Sequence, residues 1–338
     1  MSNDRYRLPP FKCQAVTKAL AETFDWSIAF GGIPELWKQS EGEGVVVAVL
    51  DTGVDESHPD LIGAIKGKKD FSGGIFGTRD RQSHGTWCAG MIAARANGIG
   101  VRGLMPKCQL LIAKVLGDDG SGSEDAIIAG FKWAWLEGAH IISMSLGGSQ
   151  MSERFHSVIQ QFTALPNRFV ICAAGNDGRD NSVNYPAKWR ETVAVGAVDR
   201  DGNLSSFTSR GPEVDILAPG QDMLSTIPMS AGGYGLMSGT SMATPYVSGV
   251  SGLALSKHLK TPGNTSMSNY VQLLEHLRRT EKKDASGYGI INPAGLMDFP
   301  PEIAPPQIPP IFSGMNIIVG GKKYRPTSMT WEEVPAKD

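Results

Sequence analysis

Residues 238–258 read Ser-Gly-Thr-Ser-Met-Ala-Thr-Pro-Tyr-Val-Ser-Gly-Val-Ser-Gly-Leu-Ala-Leu-Ser-Lys-His. Gly239-Thr240-Ser241 leads into an apolar stretch rich in small residues, which predicts a helix over 241–258. Pro245 falls in or near its first turn, where a missing N–H is tolerated. Working outward, short continuous apolar runs recur at Val45–Leu50, Leu110–Val115, Ile141–Met144, Phe169–Ala174, Thr192–Val195 and Asp215–Ala218. Helical patterns at 84–95, 124–137 and 151–164 lie between them. Continuous rather than alternating apolar runs mark strands covered on both faces, so the chain is read as an α/β protein with a parallel sheet. Glycines gather just after the strands, at Gly117, Gly120, Gly122, Gly147, Gly148, Gly175 and Gly178. Ligands of open α/β sheets bind at the carboxyl ends of strands, so the site is sought there.

Three segments place reactive side chains at such ends. Val49-Leu50-Asp51-Thr52-Gly53 ends a buried strand on an aspartate. Ser83-His84-Gly85-Thr86 opens a helix on a histidine with a glycine beside it, and Ser241 opens the helix already described. Alone, Asp51 reads equally as a turn residue, His84 as a structural histidine and Ser241 as an N-cap. Together they supply an acid, a base and a nucleophile. A serine hydroxyl attacks poorly near neutral pH until an imidazole takes its proton, and a buried carboxylate fixes the imidazole's tautomer. The order Asp, His, Ser differs from that of α/β-hydrolases, which also carry GxSxG, and from that of chymotrypsin-like enzymes.

These motifs, with Ser145-Leu146-Gly147-Gly148, Ala173-Ala174-Gly175-Asn176 and Tyr185-Pro186, resemble the subtilase family, and within it the intracellular subtilisins of bacteria, over about residues 33–298. The resemblance implies a subtilisin-like three-layer fold with a mainly parallel central sheet and helices on both faces. It implies a serine endopeptidase that works through an acyl-enzyme, with Asp51, His84 and Ser241 as the triad. Asn176 would serve the oxyanion hole with the Ser241 N–H and the Thr240 hydroxyl. Gly120-Ser121-Gly122 and Ser145-Leu146-Gly147 would hold an extended protein or peptide substrate as two edge strands. Gly147, Gly175 and Asn184 would form the pocket for the residue before the scissile bond. Glu124, in place of a common aromatic residue, would line the pocket three residues further back and favour basic side chains. A structural Ca²⁺ would take oxygens from Asp60, Asn97 and the carbonyls of Arg95, Ile99 and Val101. Leu8-Pro9-Pro10-Phe11 resembles an inhibitory motif of intracellular subtilisins, which would cover the cleft until cleavage within about residues 12–30. Trp87 and Tyr246 stand where relatives carry histidine, and Cys88 resembles the free cysteine of thiol-containing subtilases. A different class of function is a subtilase fold that binds without catalysis.

Residues 1–30 read as an N-terminal extension without a strand, 31–298 as the catalytic domain and 299–338 as a Pro-rich linker and tail. In the tail, Asn316–Val319 and Lys322–Tyr324 flank Gly320-Gly321 as a β-hairpin pattern. The tail suits a partner-docking segment, the strap of a homodimer or a disordered end. A formal charge of -2 with scattered Lys and Arg gives no basic surface for nucleic acid. No apolar run is long enough for a bilayer and no secretory signal core is seen, so a cytoplasmic location is expected and no membrane partner. Cys13, Cys88, Cys108 and Cys172 lack CxxC spacing and read as buried free thiols.

Overall fold

The computed structural model describes residues 5–16, 21–260, 270–280, 282–283, 287–298, 317–319, 322–326 and 331–334. Strands β1 (Arg5–Arg7) and β2 (Lys12–Val16) and helices α1 (Trp26–Phe30) and α2 (Ile33–Leu36) come before the first apolar run. The chain then forms β3 (Val46–Asp51), β4 (Ile65–Asp70), α3 (His84–Ala93), β5 (Gln109–Lys114), β6 (Ser121–Ser123), α4 (Glu124–Leu136), β7 (Ile141–Met144) and α5 (Glu153–Thr163). Strands β8 (Phe169–Ala173), β9 (Val193–Val198), β10 (Ile216–Pro219), β11 (Met223–Thr226) and β12 (Tyr234–Ser238) lead into helix α6 (Thr240–Leu259). Helix α7 (Tyr270–Thr280), β13 (Lys282–Lys283), β14 (Gly289–Ile290) and α8 (Pro293–Met297) follow.

Among the described residues, nine strands form the main sheet in the order β13-β14-β10-β9-β8-β7-β3-β5-β4, all parallel except β13, which pairs antiparallel with β14. Successive side chains of a strand point to opposite faces, and β3 shows what this does here. Val47 and Val49 join a cluster with Trp87, Cys88 and Ile92 of α3 and Val247, Val250 and Leu253 of α6. Ala48 and Leu50 join the opposite cluster, with Ile127 and Phe131 of α4 and Phe155, Ile159 and Phe162 of α5. The result is three layers, helix, sheet and helix, with a core on each face. From β3 the chain fills the β5 and β4 side first and then crosses to β7 and beyond. The carboxyl end of β3 therefore lies at a switch point, where α/β sheets open a crevice.

Two differences from the sequence reading have physical causes. Residues 1–30 contain β1 and β2, which were not expected because neither has a continuous apolar run. They exist by pairing, β1 with β6 and β2 with the β11–β12 hairpin. Pro245 is the sixth residue of α6 rather than part of its first turn, so it deprives the Ser241 carbonyl of its helical N–H donor. That carbonyl is used elsewhere. In the tail, β15 (Ile317–Val319) pairs antiparallel with β16 (Lys322–Pro326), and β17 (Trp331–Val334) adds a third strand. The linker residues 299–310 lie outside the described residues.

Candidate active site

Asp51 ends β3 and His84 begins α3, and both are fully buried. His84 Nδ1 lies 2.9 Å from each Asp51 carboxylate oxygen, and Oδ1 also accepts from the Thr52 N–H at 2.7 Å. Strand end and helix start are tied by a second buried carboxylate. Asp80 accepts from the Thr86 N–H and hydroxyl at 2.8 and 2.7 Å and from the Thr52 hydroxyl at 2.8 Å. The Gly85 N–H donates to Thr52 Oγ1 at 3.0 Å. Orphan N–H groups at the start of α3 are thus capped by Asp80 and Thr52 and not by Ser83. Burial pushes the Asp80 carboxyl above its usual range despite these donors. Close approach of helix and loop requires Gly85, because a Cβ there would meet the Gly53 carbonyl oxygen at 2.2 Å. The buried Lys114 ammonium donates to the carbonyls of Thr52 and Arg79, each at 2.8 Å, and to Asp118 at 2.9 Å.

Ser241, buried in the first turn of α6, supplies the third group. Its carbonyl, left without a helical donor by Pro245, accepts from the Ser145 hydroxyl at 2.8 Å and the Cys88 thiol at 3.7 Å. Ser241 Oγ in turn donates to the Ser145 carbonyl at 3.3 Å. His84 Nε2 is buried and has no hydrogen-bond partner among the described residues. Cys88 Sγ also lies 3.9 Å from His84 Nδ1, and burial first, then the Asp51 charge, hold this thiol far above its ordinary range, so it stays protonated. The Trp87 indole donates to the Gly235 carbonyl and the Tyr246 hydroxyl to the Ser27 carbonyl, both within the core.

Asn176 is held by its oxygen. Asn176 Oδ1 accepts from the Thr240 N–H at 2.9 Å and its hydroxyl at 2.8 Å, which turns Nδ2 into the cleft. The Thr240 hydroxyl also accepts from the Gly175 N–H at 3.2 Å. It therefore orients Asn176 rather than standing beside it as a donor to the oxyanion, the role expected from sequence.

The cleft between the two edge segments holds the chain's own N-terminal residues. Tyr6 pairs with Gly122 and Arg7 with Ser121 in the β1–β6 ladder, and the Leu8 N–H donates to the Gly120 carbonyl at 3.2 Å. On the other side Arg7 and Gly147 exchange N–H···O bonds of 3.3 and 3.4 Å. The Asn176 amide donates to the Pro10 carbonyl at 3.1 Å, and the Phe11 ring lies 4.9 Å from the His84 ring. Asn184 packs beside Gly147 and Gly175. Leu146 is buried beneath the edge segment it belongs to.

Away from the cleft, the loop 95–101 wraps the buried Asp60. The carboxylate of Asp60 accepts from Asn97 Nδ2 at 3.2 Å and the Val101 N–H at 2.9 Å. Burial, then Asp60's charge and hydrogen bond, raise the Tyr234 phenol to about 12. Carbonyls of Gly98 and Gly100 take N–H groups of Glu22 and Thr23. Those of Arg95, Ile99 and Val101 accept no hydrogen bond among the described residues. All four cysteines are free, but Cys13 is exposed on β2 rather than buried.

Sequence reasoning missed Tyr6, Thr52, Asp80, Lys114 and Ser152. Lys114 alone carried a signal, as a charge inside the apolar run Leu110–Val115. The others are polar residues in loops or termini, and only the fold shows what they touch.

Residues 42–291 match the Peptidase_S8 family, described as the subtilase family. An intracellular serine protease of Paenibacillus polymyxa is 45% identical over 234 residues, covering 67% of this chain and 70% of that protein. The M-protease of Shouchella clausii (strain KSM-K16) is 40% identical over 279 residues, covering 82% of this chain and 69% of its own length. Subtilisin Savinase of Lederbergia lenta is 40% identical over 277 residues, covering 80% of this chain and 98% of its own length.

Proposed function

The chain belongs to the subtilase family and is a serine endopeptidase; from that premise we propose that Asp51, His84 and Ser241 are its catalytic triad, Asn176 its oxyanion donor and residues 8–11 its own inhibitor. One observation carries the catalytic reading: the buried clamp of His84 Nδ1 on Asp51 at 2.9 Å, which leaves Nε2 free to act as base. Rotation of the Ser241 side chain away from the Ser145 carbonyl would give Oγ to Nε2. Attack on a peptide carbonyl forms the tetrahedral species, whose oxyanion the Asn176 amide and the Ser241 N–H stabilise. Collapse expels the amine, protonated by His84, and leaves the acyl-enzyme for water to hydrolyse. Substrate would lie where residues 6–8 lie, bonded through its main chain to Gly120, Ser121, Gly122 and Gly147, with Ser145, Leu146, Gly175 and Asn184 shaping the pocket beside the scissile bond.

The inhibitory reading rests on register. Tyr6 fills the Glu124 pocket, three residues before the one whose carbonyl should be attacked, so a productive segment would offer the Pro9 carbonyl to Asn176. The carbonyl found there is that of Pro10, one residue out of step. Two consecutive prolines fix φ and supply no N–H, which stabilises this misplaced path. A cytoplasmic protease has use for such restraint, and we infer that location.

For calcium, Asp60 and the open carbonyls of Arg95, Ile99 and Val101 fit a hard cation that takes six to eight oxygens. Asn97 would join by turning its amide so that Oδ1 replaces Nδ2 toward Asp60. The ion's contribution would be structural.

Ser241→Ala tests the catalytic reading. Peptide hydrolysis should disappear while the melting temperature stays close to wild type. Turnover near the wild-type rate would refute the triad and leave the silent, binding-only subtilase as the better account.

A further inference from the structure

The side chain of Tyr6 is 3% exposed, buried in a pocket whose polar wall is Glu124. The Tyr6 hydroxyl donates to Glu124 Oε2 at 2.8 Å. Glu124 is the first residue of α4 and is itself held from the neighbouring helix. The Ser152 N–H donates to Oε2 at 3.0 Å and the Ser152 hydroxyl to Oε1, and the Arg154 guanidinium stands 3.6 Å from Oε1. Burial opposes ionisation here, but the Ser152, Tyr6 and Arg154 contacts outweigh it and hold the carboxyl below its ordinary range. Tyr6 belongs to the apolar cluster that includes residues of α4 and α5, and its ring also meets backbone: a Cβ on Gly148 would fall 2.6 Å from Tyr6 Cδ1, so the ring needs glycine at residue 148.

A carboxylate accepts about four hydrogen bonds. Ser152 donates two of these to Glu124 and the Tyr6 phenol a third, while the Arg154 guanidinium adds its charge beside Oε1. A basic side chain, by contrast, would bring a second cation beside Arg154. We propose that Glu124 is a specificity-determining residue of the substrate cleft, selecting peptides with tyrosine at the fourth position before the scissile bond through a hydrogen bond to the phenol. This rests on the endopeptidase reading and revises the sequence expectation that Glu124 favours basic side chains. A phenylalanine there would bury the ring equally well but leave a desolvated carboxylate oxygen unpaired. Sites built to bond a substrate hydroxyl discriminate strongly against the analogue that lacks it.

The test uses the full-length enzyme at its steady rate and four peptides that differ only at that position: Tyr, Phe, Ala and Lys. The Tyr peptide should exceed the Phe peptide in kcat/KM by about 10- to 100-fold, the range for a hydrogen bond to a charged group. Glu124→Ala should bring the Tyr-to-Phe ratio to within about threefold of unity. Should that variant fail to fold, Glu124→Gln, with the same shape and no charge, should lower the ratio. A wild-type ratio near one, a ratio unaltered in the variants, or a Lys peptide better than Tyr overturns the inference while the endopeptidase reading stands. A wild-type enzyme that cleaves none of the four overturns that reading and the inference with it.

Discussion

The oxyanion role proposed for Asn176 depends on the geometry of one neighbour. A side-chain amide can face a cleft with either its oxygen or its nitrogen, and only the nitrogen can donate to a developing oxyanion. Two donors on Thr240 hold the oxygen inward, so the choice is made before substrate arrives. Asn176→Ala should lower kcat by about 10²–10³ with little change in KM, a scale borrowed from the loss of one oxyanion donor in a subtilisin. Thr240→Val removes the hydroxyl but keeps the N–H, and should cost about tenfold in kcat. Because Thr240 acts through Asn176, adding Thr240→Val to Asn176→Ala should cost much less than tenfold more. Steady-state kinetics of the four proteins decide this, and full additivity would show that Thr240 has a separate role.

At the scale of elements, the loop 95–101 shows how backbone polarity sets a binding capacity. The Gly98 and Gly100 carbonyls pair with Glu22 and Thr23, while those of Arg95, Ile99 and Val101 accept no hydrogen bond among the described residues. If calcium binds only the native protein, it stabilises by RT ln(1 + [L]/Kd). The melting temperature should rise with added calcium and fall with chelator, and Asp60→Asn should flatten the response. An unchanged melt of the exhaustively dialysed wild type in excess chelator would remove the site. Elements also differed in how legible they were. Strand β7 was read with the bounds Ile141–Met144 because both its faces are buried, which leaves no polar residue to blur its ends. Strand β4, Ile65–Asp70, escaped notice because it is the sheet edge: Lys66, Lys68 and Lys69 make it look like a surface loop. The three motifs proposed as the triad stood out in the sequence because local backbone needs fix their glycines and small residues. The Asp80–Thr52 cap, the Ser145 bond to the Ser241 carbonyl and the Tyr6–Glu124 pair join residues that are far apart in the chain or lie in unpatterned loops, and nothing in local pattern announces them.

At the scale of the whole molecule, the N-terminal segment is held at three places at once. Strand β1 pairs with β6, the Asn176 amide bonds the Pro10 carbonyl, and β2 pairs with β12 from Lys12 to Val16. Because β2 is anchored next to the cleft, residues 6–11 are presented at a high effective concentration, and a free peptide must compete with an intramolecular ligand. On the proposed reading that ligand is out of register with Ser241, so holding it would not consume it. Cutting the chain between β2 and α1, within about residues 17–24, would leave β1 and β2 bound only by their own contacts. Those contacts are the β1–β6 and β2–β12 ladders, the Arg7–Gly147, Asn176–Pro10 and Tyr6–Glu124 bonds and the Tyr6 and Phe11 rings. Once the tether is gone, a segment that lets go is diluted instead of returned, so free peptide should displace it. Full-length enzyme should therefore show a lag on a peptide substrate, limited proteolysis should abolish it, and a chain beginning at Ala21 should be active from the first time point. Pro10→Ala should shorten the lag by letting the segment settle into register and be cut. Progress curves recorded on one substrate separate the cases: equal initial rates for the full-length chain and the chain beginning at Ala21 would show that residues 8–11 lie in the cleft without restraining it.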